Sequence, residues 1–287
     1  MEAEVRPLPK MEYRAPSSLG EALAILKDCQ GKAKLLAGGT DLIPKMKKRV
    51  VVADLIIDVN QIPGLDRIEL RKEGLCIGAL ARLTEIMEAS AVKEKAPALA
   101  QAIGIMASPP IRNRGTIAGN LGTASPAADT APPLLVLNAS VRLKSSGGER
   151  IVPLADFFLG PGETVKRPDE MLTEVIIPFQ EGTSAFLKLG RRKAFTLSIA
   201  SAAAFARIRG GKMEEVRVAL GAVAPTPIRG RKVEEALKGK EPNKENIAQA
   251  AEWIRNEVNP ISDVRASAEY RRDMSCVLTQ RVLGKVS

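Results

Sequence analysis

The sequence is most constrained where a short apolar run meets a glycine pair. Lys34-Leu35-Leu36-Ala37 is too short for a core helix and reads as a strand, which Gly38-Gly39 breaks at once. Thr40-Asp41-Leu42 then opens a helix, with Thr40 as the expected N-cap and Pro44 tolerated because first-turn amides need no helical acceptor. Adjacent glycines allow unusual φ values and close backbone approach. Their amides, with the Thr40 hydroxyl, suit an anion at the positive helix end. A strand–helix turn that binds nothing has the same sequence, so this loop alone leaves both readings open.

A second segment has a related composition. Gly115-Thr116-Ile117-Ala118-Gly119-Asn120-Leu121-Gly122-Thr123-Ala124-Ser125-Pro126 lies in the least regular stretch, Ile111 to Pro126. Small residues leave the backbone exposed, and Thr116, Asn120, Thr123 and Ser125 supply neutral hydrogen-bonding groups suited to a pyrophosphate or ribityl chain. Asp129 fits two roles equally: accepting from ribose hydroxyls, or capping a helix over Thr130–Asn138. The glycine spacing is neither G-x-G-x-x-G nor a P-loop, which disfavours a Rossmann domain and a nucleotide hydrolase. Paired in one domain, the two loops would clamp an extended dinucleotide from both sides.

The rest of the chain frames these loops. Ser18 and Glu21 predict a capping box before Leu19, Ala22, Leu23 and Leu26 on one helix face. Strands are expected over Leu55–Val59, Ile68–Leu70, Leu75–Ala79, Val141–Lys144, Arg150–Val152 and Glu174–Ile177, and helices over Thr84–Ser90 and Ala96–Ala107. Beyond Pro178 the texture changes. Three strands, Phe186–Leu189, Ile199–Ile208 and Val216–Ala222, precede helices over Arg231–Leu237, Lys244–Val258 and Ala268–Leu283. The fold class is α+β with a boundary near residues 178–182.

Composition removes several chemistries. The chain has no histidine, which excludes Ser-His-Asp and Cys-His catalysis, histidine-ligated metals and a histidine-anchored flavin. Cys29, Cys76 and Cys276 form no C-x-x-C pair, so neither an iron–sulfur cluster nor a structural zinc is encoded, and they read as core or half-buried thiols. Hard chemistry must come from a cofactor or another chain. A formal charge of +10 fits an anionic cofactor or an acidic partner, while 3% aromatics leave little for stacking nucleic-acid bases. No signal segment or stretch long and uncharged enough to span a bilayer is visible, so a cytoplasmic protein is expected.

Ala37-Gly38-Gly39-Thr40-Asp41-Leu42, Thr116-Ile117-Ala118-Gly119-Asn120-Leu121 and Ala124-Ser125-Pro126-Ala127-Ala128-Asp129 together resemble the FAD-binding subunit of molybdenum hydroxylases. That family includes the medium chain of molybdenum carbon monoxide dehydrogenase and the flavin domain of xanthine dehydrogenase. The resemblance extends to Asp169-Glu170-Met171-Leu172, Lys188-Leu189-Gly190-Arg191-Arg192-Lys193 and Glu269-Tyr270-Arg271-Arg272, covering nearly the whole chain. It implies a two-subdomain FAD-binding fold of the vanillyl-alcohol-oxidase-like (PCMH) type over residues 1–179, split into subdomains at about residue 60. A C-terminal domain over 180–287, of the CO dehydrogenase flavoprotein type, would follow as an antiparallel sheet packed with helices.

By the same resemblance, Leu36, Ala37, Gly38, Gly39 and Thr40 would hold the pyrophosphate of non-covalent FAD, continuing into Asp41 and Leu42, with Lys34 and Leu35 lining the adenine side. Gly115, Thr116, Ala118, Gly119, Asn120 and Thr123 would contact phosphate and ribityl groups, with Ser125 near the flavin end and Asp129 on the adenosine ribose or a neighbouring hydroxyl. Met106 also belongs to the implied cofactor-binding set. Met171 and Leu172 would pack on the rings, and Lys188 would sit at the isoalloxazine's polar edge, although a solvated strand-end lysine would read the same. Two departures stand out: Ala118-Gly119 replaces the family's glycine pair, and Phe195 stands where animal xanthine dehydrogenases carry an acid, which argues against NAD as acceptor.

The resemblance also implies partners: a large molybdenum-cofactor subunit and a small [2Fe-2S] subunit, arranged as a dimer of heterotrimers. This chain would relay electrons from the clusters to an external acceptor and would not hydroxylate substrate alone. A free-standing flavin oxidase or reductase, a nucleotide-binding module and a structural subunit without flavin are the competing classes.

Overall fold

The computed structural model describes residues 7–192 and 197–287. The first unit runs β1 (Glu12–Arg14), α1 (Leu19–Asp28), β2 (Ala33–Leu36), α2 (Leu42–Lys47) and β3 (Leu55–Asp58). Its strands are parallel in the order β1-β3-β2, a pairing that requires crossovers, one of them α1. Central β3 is buried on both faces: Leu55 and Ile57 pack with Leu23 and Leu26, while Ile56 packs with Met46. Ser18 caps α1 through the Glu21 amide, but the Glu21 carboxylate returns to Ser17 N rather than to Ser18, so the expected capping box closes one residue early.

The second unit begins with β4 (Ile68–Arg71) and β5 (Gly74–Gly78). Six short helices follow: α3 (Leu83–Glu88), α4 (Ser90–Lys95), α5 (Pro97–Ile105), α6 (Pro109–Arg112), α7 (Ile117–Gly122) and α8 (Ala131–Val136). Strands β6 (Ser140–Ser145), β7 (Gly148–Pro153), β8 (Phe158–Gly160), β9 (Glu163–Thr164) and β10 (Met171–Ile177) complete it. Antiparallel pairing gives the sheet order β4-β5-β10-β6-β7, and the central strand β10 is buried along its whole length. Leu99, Ile103, Ile117 and Leu121 join Ile77 and Val175 in its main core, whereas Met171 and Leu80 belong to the core of the first unit.

The third unit is an antiparallel sheet, β11 (Thr183–Leu189), β12 (Ala200–Arg209), β13 (Lys212–Gly221) and β14 (Ile228–Arg229), with α9 (Arg231–Leu237), α10 (Lys244–Ala251) and α11 (Ala268–Leu283). Alternate alanines of β12, Ala202 and Ala204, are buried with Cys276, Val282 and Leu283 of α11. The helix expected to reach Val258 stops at Ala251 and tightens into a 3-10 turn over Glu252–Asn256. No helix among the described residues is long and apolar enough to cross a membrane.

Candidate cofactor site

A cleft of about 1300 Å³ runs along the edges of the first two units and reaches Leu197 of the third. Its first wall is the turn from β2 to α2. A Cβ added at Gly38 would lie 2.0 Å from Arg114 O and 3.0 Å from Gly115 Cα, so glycine there lets the two glycine segments touch. Gly39 is left-handed at φ +72°. The N–H groups of Gly38, Gly39, Thr40 and Asp41 form no hydrogen bond among the described residues. Successive unpaired amides around a left-handed residue make an anion-binding concavity.

Asn60 braces this turn. Its Nδ2 donates to Ala37 O at 3.0 Å and is oriented by Asp58 Oδ1 at 2.7 Å. Asp58 also accepts from Asn60 N at 2.9 Å and Tyr13 Oη at 2.8 Å. Burial opposes ionisation of Asp58, yet the Asn60 and Tyr13 donors and the Arg114 charge hold its carboxyl below the ordinary range. Thr40 is not the N-cap: that position falls to Asp41, because the turn around Gly39 delays the helix start. Asp41 makes no cap bond and instead pairs with Lys45 at 2.7 Å and accepts from Thr123 at 3.2 Å.

The second wall corrects the expectation of an irregular loop. Residues 117–122 form α7, capped by Thr116, whose Oγ1 accepts from Gly119 N at 3.1 Å. The amides of Ile117, Ala118 and Asn120 donate to Ala81, Ala79 and Thr116 carbonyls. The Gly119 amide is therefore not free for a phosphate, and this wall presents side chains instead. Ala118 lies inside the helix and keeps a negative φ, so its methyl is accommodated where a glycine was expected. Asn120 accepts from the Thr130 hydroxyl, leaving its amide nitrogen as donor. The Ser125 hydroxyl accepts from Ala127 N at 3.3 Å.

Residues 157–168 form a third wall that the sequence reading missed. The β8–β9 hairpin brings Leu159, Gly162 and Thr164 to the cleft, and Gly162 N is tied to Ala124 O at 2.9 Å. Lys166 lines the cleft too, donating to Arg167 O at 3.0 Å and Glu170 O at 3.1 Å. Burial lowers its ammonium pKa, with Glu170 opposing and Lys34 reinforcing the shift. The turn residues Gly160-Pro161-Gly162 were the available signal for this hairpin.

Every site residue expected from sequence lines this cleft except Leu36 and Lys188. Leu36 turns back beside Met46 and Ile56, because alternation along β2 puts it on the core side. Lys188 is not a solvated strand-end residue: its Nζ lies 2.6 Å from Asp129 Oδ2, both side chains are buried, and Ser198 Oγ donates to the other Asp129 oxygen. Burial raises the Asp129 carboxyl against the pull of Lys188 and Ser198. Asp129 makes no cap bond either, since the N-cap of α8 is Thr130. Met106, Met171 and Leu172 supply buried apolar surface to the cleft. Phe195, and with it the expectation about NAD, lies outside the described residues, as does Lys193.

Elsewhere Cys76 and Cys276 are buried and Cys29 is half-buried. Cys76 sits with Glu73 and Glu174 at metal-ligand spacing, but these carboxylates are engaged by Arg142 at 3.1 and 3.2 Å, and Glu174 also by Arg71 at 2.7 Å.

Fold and cleft define a class: a mixed helix-and-sheet protein with a large cleft between two sheet units, one wall of which is a turn of unpaired amides. The chain belongs to the family described as the FAD binding domain in molybdopterin dehydrogenase, whose model matches residues 9–180. Residues 185–286 match the CO dehydrogenase flavoprotein C-terminal domain. The chain is 34% identical to the glyceraldehyde dehydrogenase medium chain of Sulfolobus acidocaldarius over 97% of its length and 99% of the relative. It is 35% identical to the carbon monoxide dehydrogenase medium chain of Hydrogenophaga pseudoflava, covering 96% of each. Among solved structures, a carbon monoxide dehydrogenase of that organism lacking the Mo-pyranopterin moiety superposes with a TM-score of 0.94 at 34% identity, covering 98% of each chain.

Proposed function

We propose that this chain is the FAD-binding electron-transfer subunit of a heteromeric molybdenum hydroxylase. The observation that carries the reading is the run of unpaired amides from Gly38 to Asp41, set along a cleft of about 1300 Å³. Those amides would hold the pyrophosphate, with Lys34 and Lys166 adding positive charge on the same cleft. Thr116, Asn120, Thr123 and Ser125 offer hydroxyl and amide groups to the ribityl chain, while Met171 and Leu172 offer an apolar face to the rings and keep water from it. Bound non-covalently, the flavin would supply the redox chemistry. No side-chain acid or base is needed for that role, and the chain's own task is to bind, orient and shield.

In this reading the fold is of the PCMH type, with subdomains of about 1–60 and 61–179 and a C-terminal domain over 180–287. The chain would work in the cytoplasm in a dimer of heterotrimers with a large molybdenum-cofactor subunit and a small [2Fe-2S] subunit, passing electrons from the clusters to an external acceptor. The medium-chain names of the relatives support such partners. The test is the absorbance spectrum of the purified chain and its titration with FAD. Stoichiometric uptake is expected; a colourless protein that takes up no added FAD would overturn the reading. Turnover of an organic substrate by the lone chain would instead favour a free-standing flavin oxidase or reductase.

A further inference from the structure

The Glu269-Tyr270-Arg271-Arg272 segment opens the last helix of the third unit and contributes no residue to the cofactor cleft. Arg271 is nevertheless the bulkiest of the fully buried side chains, at 1% exposure. It stands in the first turn of α11, where the positive helix end disfavours a cation, and burial disfavours it further. An apolar side chain would fill the same space at lower cost, so the hydrogen bonds of the guanidinium account for its presence.

Those bonds tie three segments together. Nη1 donates to Ile199 O at 2.5 Å and to Ala222 O at 3.1 Å, and Nη2 donates to Asp263 Oδ1 at 2.8 Å. Asp263 is held in turn by Arg265 Nε at 2.9 Å. Both backbone acceptors lead to Asp129. Ile199 N donates to Leu189 O at 2.8 Å, which sets Ser198 beside Lys188, and both of those side chains reach the Asp129 carboxylate. Ala222, left-handed at φ +64°, donates its N–H to Pro126 O at 2.7 Å, just ahead of Asp129 in the chain. Asp129 ends both paths, and it lines the cleft together with Thr123 and Ser125.

We infer that Arg271 is a positioning residue for the cofactor: from outside the cleft it fixes, through Ile199 and Ala222, where Ser198, Lys188 and Asp129 stand at its wall. The inference rests on the reading of that cleft as the FAD site. It gives the third unit a part in cofactor binding that Leu197, its one lining residue among those described, does not reveal. The test is a double-mutant cycle on the full chain, read by the FAD dissociation constant and by the visible circular dichroism of the flavin at saturation. Arg271→Lys and Ser198→Ala should each weaken FAD about tenfold, because each removes a hydrogen bond from one chain of contacts. Combined, they should weaken it little more than either alone, since the two residues act in series. Arg271→Lys combined with Asn60→Ala, which acts on the first wall, should instead multiply. The saturated flavin of Arg271→Lys should show the same change in dichroism as that of Ser198→Ala. Asp263→Asn, at a half-buried loop position, loosens the Nη2 anchor without opening the core, and it takes the place of Arg271→Lys in the cycle if that variant does not fold. Effects of Arg271→Lys and Ser198→Ala that multiply, or a saturated Arg271→Lys flavin with the wild-type spectrum, overturn the inference, for the arginine would then serve folding alone. A wild-type chain that takes up no FAD is a separate outcome, which overturns the reading of the cleft and the inference with it.

Discussion

The two glycine segments look alike in sequence and solve opposite problems. In the first, Gly38 to Asp41 leave their amides without any partner among the described residues. In the second, the Thr116 cap and the carbonyls of Ala79 and Ala81 take up the amides from Ile117 to Gly119, so that segment stabilises the fold and offers only side chains. Glycine content therefore does not identify a phosphate cradle; the fate of the N–H groups does. One segment is organised for a ligand and the other for the protein.

That contrast can be broken most directly at Gly38. Gly38→Ala drives a methyl into Arg114 O, and roughly 3 kcal/mol of destabilisation is expected, together with loss of FAD retention of about a hundredfold or more. Denaturant unfolding and the flavin-to-protein absorbance ratio would measure both. A stable, yellow Gly38→Ala protein would show that the two segments need not touch.

Asn60→Ala is the next largest. It removes the brace on Ala37 O and should cost about 1–2 kcal/mol, with FAD affinity falling further than global stability if the first turn serves the ligand. Thr116→Val strips the cap from α7 and should behave inversely: about 1 kcal/mol of stability lost, with flavin affinity changed less than about tenfold. Equal ratios of the two losses in both variants would erase the distinction between the segments.

The smallest effect is on pH. Asp58 is held below its ordinary range in the folded chain, so its stabilising contribution is complete above that range and is lost as pH falls through the depressed folded value. The first turn, which Asp58 braces through Asn60, should therefore loosen in acid below about pH 4, while the hydroxyl-capped second segment has no equivalent carboxylate. Asp58→Asn should flatten that acid limb in a retention-versus-pH curve. A limb unchanged by the substitution would assign it to other carboxylates, such as Glu170, which is held low by Arg150.

Much of this was legible beforehand. Short apolar runs located β2, β3 and β5, and the glycine pair located the turn that touches Gly115. The rest depended on contacts distant in sequence. Thr116 as a helix cap is invisible until Ala79 and Ala81 offer their carbonyls. The Asp129–Lys188 pair joins residues from different units, so neither the ribose role nor the capping role could reveal it. The β8–β9 wall is built from strands of two and three residues, too short for any periodicity to register.

The unpaired amides of the first turn also set how this protein would age under relaxed selection. Residues that hold the fold are retained for folding alone, whereas the amides of Gly38 to Asp41 donate no hydrogen bond among the described residues. A descendant that no longer needed its ligand would be expected to keep Gly38, which the contact with Arg114 O demands, and Thr116, and to let Gly39 drift first. The integrity of that turn in a related sequence is therefore a marker of present use rather than of ancestry.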